Sequence, residues 1–332
     1  MNRTELLPDR PGIPPMAKLP EAEVIDVDAI RRGLAAGDID LVCVLGPTAS
    51  GKTRYAVDLA HQLGSRAEIL SADSRQVYRG MDIGTGKDLC EYGDVPYHLI
   101  DIVPAGSKYN IYEYQRDFLK AYADVRSRGA VPILCGGSGL YIEAATCGYR
   151  LAPVEPDPEL RRSLEALTHE ELIRRVRELN PGIPDGVLQS KKRTVRALEV
   201  ALVSAREGGA VISSEAEGAV EKSPLLPRNT YYIGTLVTRE ERVERIDKRL
   251  HERLQEGLVE EVRGLLEGGI PADDLIYYGL EYKFVTQYIL GQLSFDDMET
   301  ALANAIHQFA KRQMTWFRGM ERDGIRIHWT RP

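Results

Sequence analysis

Apolar residues along this chain recur in two patterns. Short apolar runs fall at 40–45, 67–71, 97–101 and 131–135, and between them lie stretches whose apolar positions return every three to four residues. The short runs, bounded by turn residues, predict strands, and the longer periodic stretches predict helices at 52–63 and 111–128. Strands alternating with helices imply βαβ units and a mostly parallel sheet flanked by helices. After Gly148 the pattern changes, and 157–167, 169–179 and 192–207 all read as helices. Thr168 is placed to cap the second of these, with Glu171 completing a capping box. The stretch 208–229, rich in Gly, Ser, Glu and Pro, reads as a long surface loop. Tyr231 to Val237 returns as a strand. One long helix is then expected from Glu240 to Leu266, with apolar residues at 243, 246, 250, 254, 258, 262 and 265 and one interior glycine, Gly257. Helices near 281–290 and 295–320 and a last strand, Gly324 to Trp329, complete the pattern. The expected fold class is α/β, a mostly parallel sheet of about six strands interrupted by a helical insertion.

The expected organisation has four parts. Residues 1–38 form a weakly ordered arm, with five prolines in the first twenty residues and a short helix between Val24 and Gly37. Residues 39–150 are the first part of the core, 151–229 the helical insertion with its loop, and 230–332 the second part of the core. Among 332 residues, 43% are hydrophobic and 28% charged, the balance of a soluble globular protein. No apolar run is long enough to span a membrane and no basic-then-apolar leader opens the chain, so a cytoplasmic protein without a membrane partner is expected. The four cysteines, Cys43, Cys90, Cys135 and Cys147, have no C-x-x-C spacing; Cys43 and Cys135 fall in expected core strands and read as small buried hydrophobes. Net charge is −7, yet 187–206 holds Lys191, Lys192, Arg193, Arg196 and Arg206 against one acid, Glu199. Segment 307–318 holds His307, Lys311, Arg312 and Arg318 with no acid. Each is either a local phosphate-binding surface or an ordinary solvated helix face.

Gly46-Pro47-Thr48-Ala49-Ser50-Gly51-Lys52-Thr53 fits G-x-x-x-x-G-K-[ST] and lies between an expected strand and an expected helix. Its glycines let successive N–H groups turn inward on phosphate oxygens, and the helix N-terminus adds partial positive charge. Lys52 would neutralise an outer phosphate, and the Thr53 hydroxyl would sit on Mg²⁺. The loop thus predicts a diphosphate or triphosphate ligand without naming its carrier. Past the second strand runs Ser71 to Lys87, with Asp73 at the carboxyl edge of the sheet, where ligands of open α/β sheets bind. A carboxylate there serves as a base or a metal ligand, or merely caps a turn. Gly136-Gly137-Ser138-Gly139 is a second Gly-rich turn, open to a ligand or to close helix packing. Arg242, Arg245 and Arg249 share one helix face, as surface ion pairs or with one of them on a bound phosphate.

These blocks together resemble the tRNA dimethylallyltransferases, in order and over about residues 40–329. The similar segments are Gly46 to Thr53, Ser71 to Lys87, Pro96 to Asp101, Gly136 to Tyr141, Arg196 to Val200, Arg245 to Arg249 and Lys311 to Arg318. The resemblance implies transfer of a dimethylallyl group from dimethylallyl diphosphate to N6 of adenosine 37, in tRNAs that read codons starting with U, with Mg²⁺. It implies that the P-loop takes the donor diphosphate in place of ATP, with Lys52, Thr53 and Arg249 on the leaving group and Asp73 as the base. It further implies tRNA contacts from Ser138 and Arg161 and a helical insertion that grips the anticodon stem–loop. Contacts from Asp73, Ser74, Arg75 and Gln76 are expected beside them, the clustering of Lys192, Arg193 and Arg196 on an acidic protein adds these three, and a monomer is expected. Two segments depart from the family pattern, Gln189 to Arg193 and Gly279-Leu280-Glu281-Tyr282-Lys283. The alternatives are a prenyltransferase acting on AMP or ADP, a small-molecule P-loop kinase using Asp73 or Asp101 on Mg²⁺, and a non-catalytic tRNA-binding switch.

Overall fold

The structure, a computed structural model, describes residues 19–64, 66–147, 157–181, 183, 188, 190–206 and 226–332. Most of the Pro-rich arm, the start of the insertion, most of the 208–229 loop and Gln189 lie outside the described residues. At the centre is a parallel sheet of β1 (Leu41–Leu45), β2 (Ala67–Ser71), β4 (Tyr97–His98), β6 (Val131–Gly136), β7 (Thr230–Thr235) and β8 (Ile327–Thr330), in spatial order β4-β2-β6-β1-β7-β8. A separate two-stranded parallel ladder joins β3 (Tyr78–Arg79) to β5 (Val103–Pro104). Both faces of β1 are buried: Leu41, Cys43 and Leu45 enter one core cluster, and Val42 and Val44 the other. Two-sided burial explains the unbroken apolar run, since neither set of alternating side chains meets water. The four cysteines are free thiols, and burial pushes the Cys43 thiol well up.

One cluster is covered by α1 (Val27–Ala36) and α2 (Lys52–Leu63). The other is covered by α3 (Ile111–Ser127), α4 (Gly139–Thr146) and the C-terminal helices. The insertion contributes α5 (Pro158–Glu165), α6 (His169–Leu179) and α7 (Lys191–Arg206), whose Leu164, Leu172, Val176, Val195 and Leu198 form a core of their own. The C-terminal part continues through α8 (Arg239–Glu256), α9 (Leu258–Glu267), α10 (Ala272–Tyr278), α11 (Leu280–Ile289) and α12 (Phe295–Arg322).

Several expectations from the sequence need correction. The helix expected without a break over 240–266 is two, because Gly257 takes φ 108°, ending α8 and starting α9. The strand expected at 97–101 stops at His98, since Leu99 and Asp101 take φ 66° and 56° and the chain turns Asp101 onto Lys87. Thr168 caps α6 through the Glu171 N–H, but the Glu171 carboxylate bonds Arg174 and Arg175, so only half of the capping box forms. At seven residues, α10 is too short to declare a period. Within the arm expected to be weakly ordered, α1 is capped by Asp26 and Gly37 and buries Ile30 completely.

Candidate active site

The chain leaves β1 at Leu45 and turns through Gly46 to Gly51 into α2. Positive φ at Ala49 (61°) and Gly51 (80°) curls this turn in front of the α2 N-terminus, as an anion-binding nest requires. Gly46 is obligatory, because a Cβ there would lie 2.2 Å from the Thr235 hydroxyl and 2.6 Å from that of Ser50. Those two hydroxyls bond each other at 2.7 Å and fasten the loop to β7. On its other side, Thr48 N–H donates to Gln313 Oε1 at 2.8 Å, while Gln313 Nε2 donates to the Gly137 carbonyl at 2.9 Å. One buried amide on α12 therefore ties the P-loop to the second Gly-rich turn. Lys52 leaves the loop with its Nζ 3.4 Å from the Pro47 carbonyl, and burial lowers its pKa.

Asp73 sits two residues beyond β2. Its Oδ1 accepts the Arg75 N–H at 2.8 Å and its own N–H donates to Ser71 Oγ at 3.3 Å, which fixes the turn. The Ser74 N–H donates to Ser138 Oγ at 3.2 Å, so the two turns at the sheet edge are joined. A Cβ at Gly136 would press on the Ala72 carbonyl at 2.3 Å, so here glycine serves close backbone approach. Gln76 Nε2 donates to the Gly86 carbonyl at 3.0 Å. The Asp82-Ile83-Gly84 turn is held from α9, where the Glu261 carboxylate accepts their N–H groups at 2.7, 2.7 and 3.0 Å and the Tyr282 hydroxyl at 2.7 Å.

These elements enclose a cleft of about 410 Å³ lined by Thr48, Lys52, Thr53, Asp73, Ser74, Arg75, Gln76, Ser138 and Arg249. Nine residues singled out from distant parts of the sequence thus share one cavity. Gly46, Pro47, Ala49, Ser50 and Gly51 shape the loop behind it. Arg249 is paired with Asp88. Arg253, one turn on, lies 3.8 Å from Asp88 and 3.9 Å from Glu281. Burial lowers the Arg253 pKa and raises that of Glu281. Asp101 is turned away, onto the buried Lys87 ammonium, and does not line the cleft.

The four insertion residues lie on α5 and α7, apart from the cleft lining. Arg161 and Arg196 each reach the fully buried Glu199 carboxylate at 2.7 Å. Burial alone would push the Glu199 carboxyl up, but bonds from Arg196, Arg161 and the Asp157 N–H outweigh it and hold it below the usual glutamate range. Lys191 donates to the Glu165 carbonyl at 2.8 Å, whereas Lys192 and Arg193 project from α7 as exposed side chains.

The sequence reading passed over Arg253, Tyr277, Phe309 and Gln313 as site residues, though all four line the cleft. Gln313 left a signal, a buried amide among the apolar positions Ala310, Met314 and Phe317 of α12. Arg253 extends the Arg242, Arg245, Arg249 face by one more turn.

The sequence model of the family described as "IPPT: IPP transferase" matches residues 76–320. The tRNA dimethylallyltransferase 1 of Porphyromonas gingivalis is 52% identical over 293 residues, 87% of this chain and 93% of that protein. The tRNA dimethylallyltransferase 2 of Bacteroides fragilis is 50% identical over 296 residues, 88% of this chain and 92% of that protein. Among solved structures, the full-length tRNA isopentenylpyrophosphate transferase of Bacillus halodurans superposes with a TM-score of 0.62 at 30% identity, covering 88% of this chain and 89% of that one. A eukaryotic dimethylallyltransferase acting on tRNA shares the fold, with a TM-score of 0.67 at 20% identity over 83% of this chain and 69% of that one. With half of the aligned residues identical to such relatives over nearly their whole length, this chain belongs to the IPP transferase family.

Proposed function

We propose that this protein transfers a dimethylallyl group from dimethylallyl diphosphate to N6 of adenosine 37 in tRNA and releases diphosphate. The observation that carries the reading is the cleft itself, where a P-loop lysine and the Asp73 carboxylate face one cavity in a chain about half identical to named tRNA dimethylallyltransferases. As the allylic C–O bond breaks, negative charge grows on the diphosphate and positive charge on the allyl carbons. The nest of N–H groups, Lys52 and Arg249 stabilise the departing diphosphate, the largest expected contribution. N6 supplies the electron pair for the new C–N bond, and Asp73 takes the N6 proton.

The Thr53 hydroxyl, a hard oxygen lining the cleft at the P-loop, suits Mg²⁺. Bound there, Mg²⁺ would supply further charge neutralisation at the diphosphate. Ser74, Arg75, Gln76 and Ser138 would contact the anticodon loop, and the insertion, through Arg161, Lys192, Arg193 and Arg196, would face tRNA phosphates. The reading takes the protein as a cytoplasmic monomer. No helix among the described residues is long and apolar enough to cross a membrane. The test is incubation with Mg²⁺, dimethylallyl diphosphate and either unmodified tRNA containing A36-A37-A38 or AMP, read by mass spectrometry. A gain of one C5H8 unit on the tRNA is expected. Gain on AMP alone, or phosphate transfer from ATP to a small molecule, would overturn the reading.

A further inference from the structure

Tyr277 is 63% exposed, while its neighbours Tyr278 and Tyr282 are 1% exposed and serve the core. It stands near the end of α10, lines the cleft, and carries the Arg75 guanidinium over its ring, 5.9 Å from the centroid. Phe309 of α12 is 37% exposed, lines the same cleft, and has the Arg312 guanidinium 5.8 Å from its centroid. Two elements remote in sequence thus present the same pair, an accessible ring and a planar cation, at one opening. Core packing explains neither ring. Each leaves aromatic surface exposed to water that burial would favour removing. The Ser71–Lys87 block supplies one of the cations and the basic segment 307–318 the other.

We infer that Tyr277 with Arg75, and Phe309 with Arg312, form a stacking subsite for the unpaired bases on either side of the target adenosine. The inference rests on the prenyl-transfer reading and specifies how that site takes RNA. A base modified inside a structured loop must leave its stack, which uncovers the faces of its neighbours. Unstacked RNA bases are held on aromatic rings and guanidinium planes, and the cations also meet the phosphate backbone. A free nucleotide has no flanking bases and would gain nothing from these rings.

The experiment measures affinity for an anticodon stem–loop by fluorescence anisotropy and single-turnover prenyl transfer to it. The wild type is compared with Tyr277→Ala, Tyr277→Phe, Phe309→Ala and Phe309→Leu, on the intact loop and on loops with an abasic nucleotide on either side of the target. Each Ala variant should bind the intact loop about five- to a hundredfold more weakly. Tyr277→Phe should bind like wild type, because the ring face remains, and Phe309→Leu, which keeps bulk but not the ring, should behave like Phe309→Ala. An abasic flank should weaken wild-type binding by a similar factor and cost the matching Ala variant little more. Unchanged affinity in both Ala variants, or an abasic penalty that persists in full in both, would overturn the inference. A wild type that binds the loop but does not prenylate it would count against the functional reading instead, with the binding comparison still deciding the subsite.

Discussion

At the scale of single residues, two aspartates at strand ends compete for the role of base, and their neighbours separate them. Asp73 faces the cleft with Lys52 and Ser138, while Asp101 is committed to the buried Lys87 ammonium, which also bonds the Tyr78 carbonyl at 2.7 Å. Asp73→Asn keeps the turn bond to the Arg75 N–H but cannot take a proton. It should slow single-turnover prenyl transfer about a hundred- to ten-thousandfold, with tRNA affinity and melting temperature retained. Asp101→Asn should instead lower stability by about 2 kcal/mol in denaturant titration and leave the chemical step intact. The reverse result would move the base to Asp101. Lys52 yields a prediction in pH. Burial lowers its pKa, so as pH rises the charge is lost earlier than for an ordinary lysine. Donor affinity, measured by direct titration, should therefore begin to fall on the alkaline side at a pH below the usual lysine range. An affinity flat up to that range would mean that the lysine charge does not hold the diphosphate. The P-loop and Asp73 were legible because each belongs to a contiguous motif. Gln313 and Arg253 left only a break in an apolar stripe and one more turn of a basic face, because their importance comes from what the fold sets against them, a loop N–H 265 residues away in the first case.

At the scale of elements, the periodic helices and the strands buried on both faces were readable, and the misread places are those where backbone conformation overrides pattern. Apolar spacing runs unbroken through Gly257, yet φ 108° there turns the chain and lets Glu261 on α9 meet three N–H groups of the 82–84 turn. A Cβ at Gly257 would find no atom closer than 3.8 Å, so the obstacle to alanine is conformational and not steric. Gly257→Ala should therefore destabilise by about 1–2 kcal/mol, read as a lower melting temperature. A rise in melting temperature would mean that α8 and α9 prefer to run on as one helix. Likewise, 97–101 has the composition of a strand, but tertiary bonding of Asp101 to Lys87 takes its last residues out of the sheet. The two-stranded β3–β5 ladder, two residues a side, is too short for any alternation to reveal.

At the scale of the whole molecule, a protein of net charge −7 is expected to bind a polyanion, so placement of charge matters more than its sum. The sequence showed a basic segment with a single acid, Glu199, but not that this acid lies buried between Arg161 and Arg196. Both guanidinium groups are partly neutralised, and Arg161 crosses from α5 to α7 while Arg196 closes on Glu199 within α7; Lys192 and Arg193 extend into solvent. The four cations should therefore separate by experiment. Replacing Lys192 and Arg193 together by alanine should leave the fold intact and weaken tRNA binding across sequences. It should also flatten the dependence of log affinity on log salt by about two units, one for each phosphate that is no longer neutralised. Replacing Glu199 by glutamine should act through the fold instead. The carboxyl is held below its unfolded range, so its stabilising contribution is present above about pH 4.3 and is lost as pH falls through the lowered value. The glutamine variant should lose stability at neutral pH and show a shallower further loss on acidification than the wild type, followed by circular dichroism. A salt slope unchanged in the Lys192 and Arg193 double variant would return α7 to an ordinary solvated face, and the grip on tRNA would then fall to the cleft rim and the basic stretch of α12.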